Sequence, residues 1–229
     1  MSIANTRVHH VGFVILIVFL LILSTEAQAD LYTYGFKNIT NNLAGDAAIG
    51  EAQLFADVSG EPDDTQALFT FRNEGPEDSS ICDVYFEDGP LLGIADIING
   101  PGVLFSQGAN PPDLPGGNAV QPPFNVTAGF LADSDPPVQP NGVNPGESLG
   151  ILFDSTGDFA DVIAAINQGL TGPIVAGESL RIGIHVQGFE SGGSESFVLT
   201  PEPGSLLLGS IGISMVIARC RKRKTLNES

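Results

Sequence analysis

The chain has no tryptophan, two cysteines and three histidines in 229 residues. Bases are scarce as well, nine Lys and Arg against 27 Asp and Glu. Each scarcity excludes something. Cys82 and Cys220 stand far apart, and only Cys82 lies between residues 30 and 203, so that body cannot hold an internal disulfide. One histidine, His185, remains in the same span, and a single His and a single Cys cannot close a zinc site. A Ser-His-Asp triad would need His185 as its base, but no G-x-S-x-G elbow accompanies it, and the residue reads as an exposed strand histidine. P-loop and dinucleotide signatures are missing. Sugar sites commonly stack an aromatic face on the ring, and beyond phenylalanine the chain offers only Tyr32, Tyr34 and Tyr85. No catalytic residue is assigned, and the expectation is a protein that is not an enzyme.

The shortage of bases is sharper in the body than in the whole chain. Arg7 lies near the start and five bases crowd Arg219–Lys224, which leaves Lys37, Arg72 and Arg181 against 25 acids, a net charge of −22. A polyanion of that kind does not bind nucleic acid or an anionic membrane surface. Solvated acidic turns are the ordinary reading of such a charge. A structural calcium is the alternative, with oxygens from Asp133 and Asp135 or from Glu87 and Asp88, although no EF-hand spacing is present. No other cofactor is expected.

What the chain does have is pattern. Arg7 precedes an apolar run from Val11 to Leu23, followed by Ala27 and Ala29 at the spacing of a signal-peptidase site, so residues 1–29 read as a secretory signal peptide that engages the Sec translocon. The run is well short of the length that spans a bilayer. Several segments then alternate with period two. Ala52, Leu54, Ala56 and Val58 share a face, as do Ala67, Phe69 and Phe71. Cys82, Val84 and Phe86 alternate with Asp83 and Glu87, and Leu180, Ile182, Ile184 and Val186 alternate with Arg181, Gly183, His185 and Gln187. Weaker strands are expected at 31–39, 91–98, 103–106, 126–131, 148–154 and 195–199. Pro- and Gly-rich turns such as N-G-P-G and A-N-P-P-D-L-P-G-G-N separate them. Residues 110–123 read as a long ordered loop. Phe159, Val162, Ile163 and Ile166 fall on one helical face, so one short helix is expected at about 158–168, capped by Thr156 or Asp158 and ended by Gly169. The fold class that follows is all-β, an antiparallel β-sandwich or jelly-roll-like single domain over 30–199, with one short helix.

Residues 200–224 differ from everything before them. Pro201-Glu202-Pro203 leads into a short stretch rich in Leu, Ile and Val, Gly204–Ala218, and then into Arg219, Arg221, Lys222, Arg223 and Lys224. The Leu, Ile and Val side chains supply only about −3 kcal/mol toward insertion, enough to park a chain, while the basic cluster stays cytoplasmic. This tripeptide, spacer and cluster at the C-terminal end resemble the PEP-CTERM sorting signal. Cys220 interrupts the basic run, a small departure. The resemblance implies an exported protein of a bacterium that has an outer membrane and makes exopolysaccharide. It implies recognition and removal of the tail by exosortase, and membrane contact only through the C-terminal segment before that processing. It further implies a cell-surface or matrix location, with extracellular polysaccharide as a partner. A carbohydrate- or calcium-binding module is the alternative.

Overall fold

A computed structural model describes residues 30–62 and 64–201. Ten strands run in chain order: β1 (Leu31–Asn38), β2 (Leu54–Gly60), β3 (Gln66–Asn73), β4 (Ser80–Asp88), β5 (Leu91–Asn99), β6 (Phe105–Gln107), β7 (Leu131–Ser134), β8 (Ser148–Ser155), β9 (Leu180–Gln187) and β10 (Glu195–Pro201). Three helices interrupt them: α1 (Ala44–Gln53), α2 (Val138–Asn141) and α3 (Phe159–Thr171). The strands form one sheet in the order β5-β8-β3-β2-β1-β10-β9-β4-β7-β6, with every ladder antiparallel.

The expected all-β antiparallel class is what forms, as a single sheet curled into a near-barrel. Apolar residues on alternate positions dictate the curl, because their common face must leave water. Phe69 on β3 and Phe153 on β8 meet Phe86 on β4, with ring centroids 5.2 and 4.6 Å from Phe86. These strands are far apart in the sheet order, so the two halves of the sheet close on one aromatic core. Each fully buried Phe is worth about 1.5–3 kcal/mol, and edge-to-face pairs add about 0.5–1.5 kcal/mol. Asn99 at the end of β5 completes the curl at one rim, accepting from the Phe105 backbone N–H at 2.8 Å and donating to its carbonyl at 3.1 Å.

Several expectations are corrected. Ala52 belongs to α1, not to the strand that begins at Leu54. The segment A-G-D-A-A-I-G-E-A-Q is rich in alanine, the strongest helix former, and Gly50 lets the helix sit against Phe197. Residues 126–130 form a turn, and only Leu131 enters a strand. Among the described residues three α-helices and one 3-10 turn, Gly117–Ala119, stand where one helix was expected. The expected helix runs to Thr171, capped by Asp158 accepting from the Asp161 N–H at 3.0 Å. Gly169 does not end it; its missing side chain lets the last turn rest on the Leu180 carbonyl. In β4 the alternation fails, because a bulge between Ile81 and Asp83 shifts the phase. Ile81, Val84 and Phe86 join the main core, while Cys82 lies outside it, its thiol pointing to the Ser80 and Val138 carbonyls. Burial pushes that thiol up to about 11, which keeps it protonated at neutral pH.

Candidate functional site

The outer face of β4 and β9 is covered, against the expectation of a polar strand surface. Residues 108–126 lie across it as a strap. Leu114 rests directly on Gly183, so closely that a side chain there would have to displace a Leu114 methyl. Leu114, Phe124 and Tyr85 form a second small core beneath the strap. Arg181 pins the far part of the strap, donating to the Pro122 and Pro123 carbonyls at 2.9 and 2.6 Å and stacking over Phe124. Its guanidinium also pairs with Glu87. Tyr85 Oη donates to the Pro111 carbonyl at 3.0 Å.

Beside the strap a row of polar side chains crosses five strands in register: Ser196 (β10), His185 (β9), Asp83 (β4), Asp133 (β7) and Ser106 (β6). His185 is half-buried, not exposed, and its Nδ1 lies 3.1 Å from Ser196 Oγ. Burial lowers its pKa, so the imidazole is neutral at pH 7. Serine sits on Nδ1 and is wholly buried, whereas a triad places a carboxylate there and an accessible serine at Nε2.

Asp83 is the residue that sequence reasoning missed. Alternation places it on the solvent side, and the strap then covers that side, leaving it 3% exposed. Desolvation, the facing Asp133 charge and the hydrogen bond between the two push its carboxyl up to about 8. Burial also raises Asp133, against the backbone N–H of Asn110, which favours its anion. Tyr85 is raised by burial and by Asp83, Asp133 and Asp113.

Three of the acids singled out for calcium already have hydrogen-bond partners. Asp135 Oδ1 accepts from Ser106 Oγ at 2.7 Å, and Asp88 Oδ1 accepts from the Gly89 N–H at 3.0 Å. Glu87 is committed to Arg181 and lies towards the far end of β4 from Asp83. Among the described residues no group of three or more His, Cys, Asp or Glu is arranged to hold a metal ion.

A cleft of about 480 Å³ opens where β9 and β10 part. Their pairing stops at Gly183 and Val198, while β9 continues to Leu180 alongside β4 and β10 continues to Pro201 alongside β1. Leu170, Ile174, Pro122, Ile182, Leu199 and Pro201 line it. Pro201 is thus both a wall of the cleft and the first residue of the Pro-Glu-Pro tripeptide, held in the sheet opposite Tyr34. Glu202, Pro203, the basic cluster Arg219–Lys224, and Ala27 and Ala29 of the expected signal-peptidase site lie outside the described residues. No described helix is long and apolar enough to cross a membrane.

What the fold and face define is a class: an all-β, near-barrel domain with a strapped outer face. Comparison with family models, with curated proteins and with solved structures returns no match.

Proposed function

We propose that the chain is an exported, non-enzymatic protein of the cell surface or extracellular matrix, delivered by the Sec translocon and sorted through its C-terminal tail by exosortase. The observation that carries the reading is the junction at Pro201. The ten strands and the core use residues 31–201, and the tripeptide begins in the last residue of β10. Cleavage beyond Pro203 therefore leaves all ten described strands in the chain. A −22 body favours solubility and repels polyanions, which suits a neutral or cation-bridged polysaccharide matrix.

Intact mass and cell fractionation test the reading. The mature protein is expected to begin at Asp30, to lack the basic cluster and to fractionate with the envelope or matrix. A full-length tail on protein recovered from an exosortase-active strain overturns it.

The cleft favours a second reading, a carbohydrate-binding module, because its volume is of the size that small-molecule sites have. Calorimetric titration with matrix oligosaccharides, with and without millimolar calcium, checks it. Absence of heat together with an unchanged melting temperature removes it.

A further inference from the structure

The strapped face holds an arrangement that sorting does not use. Asp83 and Asp133 stand directly opposite each other across the β4–β7 ladder. Asp83 is almost fully buried, and its Oδ1 meets no donor. An ionised carboxylate in that position would be desolvated and unpaired beside a second carboxylate, which folded proteins avoid. A retained proton removes the buried charge, and the Asp83 carboxyl O–H then serves as a donor toward the Asp133 carboxylate.

We infer that Asp83 and Asp133 share one proton and act as a proton-operated latch on the root of the strap. Asp133 is the connection: its anion is also met by the Asn110 backbone N–H, where the strap begins. Around it, the Gly108 N–H donates to the Leu131 carbonyl at 2.9 Å, and Tyr85 Oη holds the Pro111 carbonyl. With the proton in place the pair carries one charge and the root is closed. When hydroxide removes that proton as water, two anions face each other across one ladder.

Among the described residues no nearby charge relieves them. On β4 itself Cys82 and Tyr85 stay protonated, Asp135 just after β7 and Asp113 on the strap add negative charge, and His185 on β9 is neutral. The described bases are engaged elsewhere, Lys37 with Glu51, Arg72 with Asp57 and Glu74, and Arg181 with Glu87. Hydration is the remaining relief, and water reaches Asp83 only if the strap root lifts. Lifting uncovers the apolar patch of Tyr85, Leu114 and Phe124.

Hydrogen exchange on the full chain tests the latch. After correction for intrinsic exchange, the Gly108 and Phe124 amides of the wild type are expected to lose about tenfold in protection between about pH 7 and about pH 9, while β2, β3 and β8 hold theirs. Asp83→Asn keeps a donor toward Asp133 and cannot ionise, so its strap is expected to stay protected across the range. Asp133→Asn, with one carboxyl left, is expected to lose the pH dependence as well, which keeps the test alive should the first variant fail to fold. Infrared difference spectra give an independent readout: a protonated-carboxyl stretch at neutral pH in the wild type, missing in Asp83→Asn. Equal strap protection at both pH values in the wild type, the same loss in Asp83→Asn, or absence of the protonated band overturns the inference.

Discussion

Glu195 and Asp83 are both buried acids, and their surroundings drive them in opposite directions. Burial alone would raise Glu195, yet it receives Thr40 Oγ1, the Leu43 N–H and Asn38 Nδ2, and these donors hold it below the usual carboxylate range. It ties the β1–α1 connection to β10. Glu195→Ala is expected to cost roughly 3 kcal/mol, the scale of stranding buried donors, measured by urea denaturation at neutral pH. Asp83 has a raised folded-state pKa, so the folded protein holds that proton more tightly than the unfolded chain does. The stability it contributes is fully present below the unfolded carboxylate range and is lost as pH rises toward about 8. Asp83→Asn is therefore expected to gain stability relative to the wild type as pH is raised from about 4 to about 9. Parallel melting curves check it, and a pH-independent difference between the two proteins contradicts it.

At the scale of elements, small residues set how closely layers approach. Gly183 takes Leu114 on its bare α-carbon. Gly183→Val keeps strand propensity but fills that space, so it is expected to cost about 1–3 kcal/mol and to loosen the strap while the barrel persists. Limited proteolysis within 108–126, faster in the variant, is the measurement. The same residues explain what was legible beforehand. Strands β3, β8 and β9 could be read because one face is buried and the other half-wet, which writes period two directly into the chain. Helix α3 could be read from Phe159, Val162, Ile163 and Ile166 together with the Asp158 cap. Helix α1 could not, because E-A-Q-L-F-A-D-V satisfies a strand period and the alanines that make it helical lie just before. The bulge at Cys82 left no mark in composition. Asp83 was legible as an acid and illegible as a buried one, since its cover comes from a loop that lies well beyond it in the chain. The calcium candidates were legible as acids while their partners were not, because Ser106 reaches Asp135 and Arg181 reaches Glu87 only once strands pair.

At the scale of the molecule, the ten strands close on one aromatic cluster instead of two separate sheets. Phe86 touches Phe69, Phe71 and Phe153 from the opposite half of the curl. Phe86→Ala is expected to cost about 3–5 kcal/mol and to lower the cooperativity of thermal unfolding, followed by calorimetry. A protein cut to residues 30–201 is expected to melt within a few degrees of the full-length chain, because the ten strands and the buried aromatic cluster lie inside those limits. A large loss on truncation would place part of the stability in the tail.

The pairing of β1 with β10 carries a topological consequence. Tyr34 opposes Pro201, so the first and last strands are neighbours, and the two ends of the described chain emerge at the same end of the sheet, roughly 5 Å apart where the strands pair. Apart from that one gap, the backbone is nearly a ring. A short Gly-Ser bridge from Pro201 to Leu31 would turn it into one, and new ends opened at the Gly89-Pro90 turn should give a circular permutant with the same sheet. In such a permutant any sorting tail would hang from β4 in place of β10, and delivery could be separated from architecture.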